Sequence, residues 1–127
     1  MTYRIKFNGT VPASLNRTLN WNYHRKTKER KMWADAIFVL LGRRAATDLV
    51  KRAERKERMR VCITICNSRR YDDDNARGGC KIIFDAIRSK GLIYDDRQEY
   101  LDQDVKQEPS SRADRGTIIE IGPAEAA

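Results

Sequence analysis

RMRVCITICNSRRYDDDNARGGCKIIFDAIRSKGLIYDD, residues 58–96, carries the pattern that decides the fold. In its first part β-branched residues dominate. Val61, Ile63 and Ile65 alternate with Cys62 and Thr64, which predicts a strand from Arg58 to Cys66. Asn67, Ser68, Arg69 and Arg70 turn the chain outward. Cys80, Ile83, Phe84 and Ile87 then recur at i, i+3, i+4 and i+7, the spacing of a helix over residues 77–90. Gly91 is a typical C-terminal stop. Leu92 and Ile93 read as a short extended piece ending at Asp95 and Asp96.

Working outward, Tyr3, Ile5 and Phe7 alternate with Arg4 and Lys6, a strand with one buried face. Asn8 and Gly9 end it, and Pro12 to Asn16 reads as a loop. Met32, Trp33, Ala36, Ile37, Leu40 and Leu41 form a wide apolar stripe. They predict a long helix or helical hairpin over roughly 24–57, interrupted near Gly42 and restarted by Thr47 and Asp48 as caps. Leu101 and Val105 hint at a strand reaching Gln107, Pro109 to Gly116 is a polar loop, and Thr117 to Ile121 is a final strand. The expected architecture is α+β: one domain over 1–127, a small mixed sheet packed with two main helices. The tail from about residue 123 is expected to be disordered.

The chain has 127 residues, 35% of them charged and 40% hydrophobic, enough for one two-layer core. It lacks a long apolar run and an N-terminal apolar block, so neither a membrane span nor secretion is expected, and a cytoplasmic protein follows. Cys62 and Cys66 lie roughly 13 Å apart along a strand, too far for a disulfide or shared zinc. Cys62, Cys66 and Cys80 therefore read as buried, reduced residues. Net charge is +8, unevenly placed: residues 1–70 carry 18 Lys or Arg against 5 acids, and residues 71–127 carry 8 against 13. A basic half beside a concentrated acidic site suggests a bound polyanion, although the cations could equally be solvated helix surface. Between Asn16 and Lys31, Trp21, Tyr23 and His24 stand among Arg17, Arg25, Lys26, Lys28, Arg30 and Lys31. Aromatic rings for bases and cations for phosphates suit a nucleic-acid surface, with Arg69 and Arg70 as further candidates.

Adjacent carboxylates repel, so Asp72, Asp74 and one of Asp95 or Asp96 could gather only around a compensating cation. In an extended segment Asp72 and Asp74 project to one side, a two-toothed claw for a hard divalent metal. Such a metal activates water and polarises a phosphodiester. Lys81, in the first turns of the helix, could meet the phosphate. An EF-hand is disfavoured, because Arg77 and Ile83 stand where its Gly and Glu belong.

The succession of Asp72, Asp74 and Asn75, then Lys81 opening a helix with Phe84, Asp85 and Ala86, then Gly91, Asp95 and Asp96, resembles the RusA family of Holliday junction resolvases. The early PASLNR and the basic segment after it are also similar. One difference is the ARGGC spacer from Asn75 to Lys81, longer than in the family's pattern, so Lys81 aligns through the IIFDA that follows. The resemblance implies a mixed α/β homodimer that cleaves four-way junction DNA by paired nicks with Mg²⁺, or Mn²⁺ in its place, and no nucleotide cofactor. It implies metal ligation by Asp72, Asp74 and Asp96, with Asp95 as the alternative to the last. Lys81 is catalytic in that scheme, and Asn75 and Asp85 support the ligands from behind. A phage or prophage origin would fit the family. Two other readings use the same residues: a metal nuclease acting on flaps or forks, and a non-catalytic basic DNA-binding module.

Overall fold

The computed structural model describes residues 2–124. The order of elements is β1 (Tyr3–Asn8), α1 (Leu15–Thr18), α2 (Tyr23–Glu54), β2 (Met59–Asn67), α3 (Asp73–Ser89), β3 (Leu101–Pro109) and β4 (Gly116–Pro123). The strands form one mixed sheet in the order β1-β4-β2-β3. β4 runs antiparallel to both β1 and β2, whereas β2 and β3 are parallel, Met59 opposite Leu101 through Asn67 opposite Pro109. Parallel neighbours need a crossover, and α3 provides it. The α+β architecture expected from the sequence is the one observed.

Period-two alternation sends Ile5, Phe7, Val61, Ile63, Ile65, Ile119 and Ile121 to one face of the sheet, and all are buried. On that face α3 lays Ala76, Cys80, Ile83, Phe84 and Ile87, a narrow stripe at helical spacing. From α2 come Trp33, Ile37 and Leu49, with Trp33 edge-on to Phe7 at 5.0 Å between ring centroids. Leu92 and Ile93 are fully buried in turns under the sheet, not in an extended piece. All three cysteines are free and buried, and burial pushes the Cys80 thiol up to about 12.

Several boundaries differ from expectation. Gly42 breaks α2 with φ +83° and ψ 166°, a backbone state that side chains with a Cβ avoid. Thr47 and Asp48 do not cap the second stretch; Asp48 lies inside it, accepting from Tyr3 Oη at 2.8 Å and pairing with Arg52. One helix face is too narrow for the whole predicted stripe, and Met32 and Leu40 stay 56% and 48% exposed while Trp33 and Ile37 are buried. Residues Leu15 and Asn16, read as loop, start the single turn α1. Pro123 belongs to β4, and Ala124 N–H donates to Arg58 O; the rest of the predicted disordered tail, 125–127, lies outside the described residues.

The largest difference is the start of α3. It begins at Asp73 instead of Arg77, so Gly78 and Gly79 are helical and do not form a hinge. Their role is contact. A Cβ on Gly78 would stand 2.7 Å from Leu15 Cβ, and one on Gly79 would collide with the Ala13 carbonyl oxygen. Gly→Ala inside a helix ordinarily stabilises by about 0.5–1 kcal/mol. At Gly79 the sign should reverse: Gly79→Ala is expected to cost about 1–3 kcal/mol by overpacking, read as a lower urea midpoint with unchanged m-value.

Candidate functional site

Asp72 is the N-cap of α3 and Asp73 and Asp74 fill its first turn. Carboxylates there are favoured by the exposed N–H groups and the helix dipole, which is why this acidic run starts a helix in place of the extended claw expected. The claw geometry is corrected accordingly: Asp72 and Asp74 stand on a helix start, not on alternate sides of a strand. Their carboxylates are exposed, and Asp72 makes no capping hydrogen bond. Asp73 is engaged instead, by Arg70 Nη2 at 3.0 Å and by Gln107 Nε2 at 3.5 Å.

Gln107, which sequence reading did not single out, holds this helix start in place. Its Oε1 accepts from Tyr71 N–H and its Nε2 donates to Tyr71 O, both at 2.9 Å. Tyr71 Oη in turn donates to Pro12 O at 3.0 Å. The β2 exit, the Pro12 loop and β3 therefore converge on the residue before Asp72. The available signal was a glutamine on the same period-two face as Leu101 and Val105, where a buried strand would carry an apolar side chain.

Asp95 and Asp96 lie at the opposite end of α3. Asp95 Oδ1 accepts from Asp96 N–H at 2.7 Å, and Asp95 Oδ2 from Arg97 Nε at 2.8 Å; these contacts hold the Asp95 carboxyl below the usual carboxylate range. Arg88 Nη1 stands 3.6 Å from an oxygen of each aspartate. Arg88 comes fourteen residues after Asp74, roughly 21 Å of helix. Along β3 the gap is shorter: Asp96 O is 3.4 Å from Gln103 Nε2 while Asp73 meets Gln107, anchors roughly 13 Å apart along the strand. One Mg²⁺ shell, with oxygens at about 2.1 Å, cannot span that. Among the described residues no three His, Cys, Asp or Glu side chains converge on a metal position. Among the described residues, Asp72 and Asp74 at the start of α3 and Asp95 and Asp96 beyond its end do not form one cluster.

Lys81 lies two turns down α3 from Asp74, roughly 10 Å along the axis. It lines a groove of about 420 Å³ between α1, the start of α2 and α3, with Trp21, Tyr23, Lys26, Arg30 and Asp85. Lys81 and Asp85, four residues apart on α3, make no ion pair among the described residues. Asn75 accepts from Asn16 N–H at 3.3 Å and so anchors α1. Arg25 lies over the Trp21 ring at 4.2 Å, Asn22 caps α2 by accepting from Arg25 N–H, and Arg17 and Lys28 are exposed. Arg69 and Arg70 line a small cleft beside Gln107, at the Asp72 end.

Only part of the charge is held in ion pairs. Asp95 pairs with Arg97, Asp102 and Asp104 with Arg60, and Asp48 with Arg52. Arg17, Arg25, Lys26, Lys28, Arg30 and Lys81 make no ion pair among the described residues. Of the acids in the aspartate run, Asp72 and Asp74 are likewise unspent. No helix among the described residues is long and apolar enough to cross a membrane. No protein-family model matches the chain, and no curated protein matches it.

If Gln107 fixes the helix start, Gln107→Ala should leave the Tyr71 amide and carbonyl without their partners, at a cost of about 1–3 kcal/mol. Tyr71→Phe, which removes only the bond to Pro12, should cost about 1 kcal/mol. Chemical denaturation of the two variants and the double variant checks both, and equal midpoints for wild type and Gln107→Ala would refute the clamp.

Proposed function

We propose that this chain is a metal-dependent endodeoxyribonuclease that acts on branched DNA as a homodimer, as the RusA-like resolvases do. What carries the reading is the pairing of unspent opposites. Asp72 and Asp74 stand free on a clamped helix start, while every cation around the α1–α2–α3 groove is also without an ionic partner. Solvated-surface charge on a small fold tends to neutralise locally, as it does at Arg60 and Arg52. Charge left open in two neighbouring regions supports a polyanion and a cation as the missing partners.

Because one protomer holds its acids at both ends of α3, a full ligand set requires a second copy. In the proposed dimer, Asp72 and Asp74 of one protomer meet Asp95 and Asp96 of the partner subunit across a two-fold axis that reverses the helix direction. Each dimer then has two sites, matching the two scissile strands of a four-way junction. A divalent metal, when bound there, supplies an activated water and polarises the phosphodiester. The chain's own residues orient the parts: Gln107 fixes the helix start, Arg88 holds Asp95 and Asp96, and Arg69 and Arg70 meet the backbone near the cut.

A specific observation favours a second reading. Among the described residues no three carboxylates converge, so a metal-independent DNA-binding module is the alternative, and it forbids product strands under any divalent ion. Wild type is expected to nick a synthetic four-way junction in Mg²⁺ and not in EDTA, and Asp74→Asn to lose at least about 100-fold in rate while still binding; unimpaired nicking by Asp74→Asn would falsify the proposal.

The composite site makes a sharper demand. Asp74→Asn and Asp96→Asn should each be inactive alone, yet their equimolar mixture should recover about a quarter of the wild-type sites, because each mixed dimer rebuilds one site of two. Gel analysis should show single nicks without paired ones. A mixture as inactive as its parts would place each site within one protomer.

A further inference from the structure

The groove between α1, α2 and α3 is too elaborate for a patch that merely attracts backbone phosphates. Its walls are aromatic and apolar on one side, with Leu19, Trp21 and Tyr23, and cationic on the other, with Lys26, Arg30 and Lys81. Tyr23 is 76% and Leu19 64% exposed, large apolar surface held in water next to three unpaired cations. Asp85 lines the same space. A site for phosphate alone would gain nothing from a carboxylate there, whereas a base with an exocyclic amino group can donate to it. At about 420 Å³ the space also falls within the ~300–1,000 Å³ of small-molecule sites. The groove opens because Gly78 and Gly79 let α1 sit directly on α3 at Leu15 and Ala13, which props Leu19 and Trp21 above the helix.

We infer that this groove binds an unpaired nucleotide of a DNA strand, its base against Trp21 and Tyr23 and its flanking phosphates on Lys26, Arg30 and Lys81. The base face supplies the stacking partner that exposed aromatic rings lack, and stacking of this kind is tolerant of sequence. Arg25, already lying over Trp21, closes one face of that ring and leaves Tyr23 as the open platform. Lys81 is in this assignment a strand-holding residue. The inference builds on the nuclease reading only in taking DNA as the ligand. It adds that the strands at a branch point are held open at a site two helical turns from Asp74, so branched DNA is preferred over continuous duplex.

The test uses the full chain in EDTA, where no cleavage is needed. The probes are two DNA duplexes of one sequence, one fully paired and one carrying three bulged cytidines with 5-iodocytosine at the centre, so that the bulged base keeps the exocyclic amino group that Asp85 would accept from. Irradiation of the bulged probe should give adducts on Trp21 or Tyr23, mapped by mass spectrometry. Tyr23→Ala should weaken binding of the bulged probe about 5- to 100-fold and leave the paired probe within about twofold. Lys81→Ala should reduce the slope of log affinity against log salt by about one for the bulged probe. Because Tyr23 is so exposed, an unchanged circular dichroism spectrum is expected for its variant. Adducts elsewhere, equal weakening on both probes, or tighter binding of the same bulge made in RNA would overturn the assignment. The outcomes separate from those of the nuclease reading. Junction nicking abolished by Asp74→Asn with no effect of Tyr23→Ala on bulge binding removes the groove alone. Adducts on Tyr23 with no nicking under any metal remove the nuclease alone.

Discussion

Parallel pairing of β2 with β3 is the constraint on which the rest of this structure depends. Two parallel neighbours cannot be joined by a tight turn, so the chain must travel the length of the sheet and return before β3 begins. A helix of 17 residues makes that journey, and its burial of Ile83, Phe84 and Ile87 ties it to the sheet for its whole length. The acidic groups on either side of α3 are therefore held apart as firmly as the core is packed. The separation spreads a carboxylate cluster in sequence over two places in the fold, and it is why a two-fold partner enters the proposed function.

Two small devices register α3 against its surroundings. At its start, the Gln107 amide satisfies both backbone groups of Tyr71, so the first turn is pinned to β3 as well as to β2. Six or seven residues further on, Gly78 and Gly79 accept α1 at a distance that no side chain would allow. The first device presents carboxylates and the second builds a groove. Both act on one rigid helix, so the spacing between the carboxylates and Lys81 is set by helix rise and not by loop flexibility.

Electrostatics separates structure from function here more clearly than composition does. Several acids in the C-terminal half are matched to arginines within reach, Arg60 forking to Asp102 and Asp104 at 3.0 Å each. Such exposed pairs add little stability one by one. Their use is that they remove charge from one part of the surface, while the cations of α1, the start of α2 and Lys81 stay open around one groove. The +8 total is thus a poor guide; where charge remains unmatched is the better one.

The sequence by itself determined the elements whose signals are local and periodic. The β-branched alternation of residues 59–65 and the i, i+3, i+4, i+7 spacing from Cys80 to Ile87 each report a buried face directly, and both stand in the structure. The candidate residues, Asp72, Asp74, Asp95, Asp96 and the basic aromatic segment, were legible for the same reason: unusual chemistry in a short span is visible without a fold. What only the tertiary structure decided was which of them meet. The start of α3 was misread because a run of aspartates and a Gly-Gly pair both look like loop until the N-cap and the packed α1 are seen. Gln107 was passed over because its partner lies 36 residues away. Strand direction, finally, leaves almost no trace in composition, since β2 would carry the same apolar residues beside a parallel or an antiparallel neighbour. That one long-range choice set Asp74 and Asp96 at opposite ends of a helix, and no local pattern could have announced it.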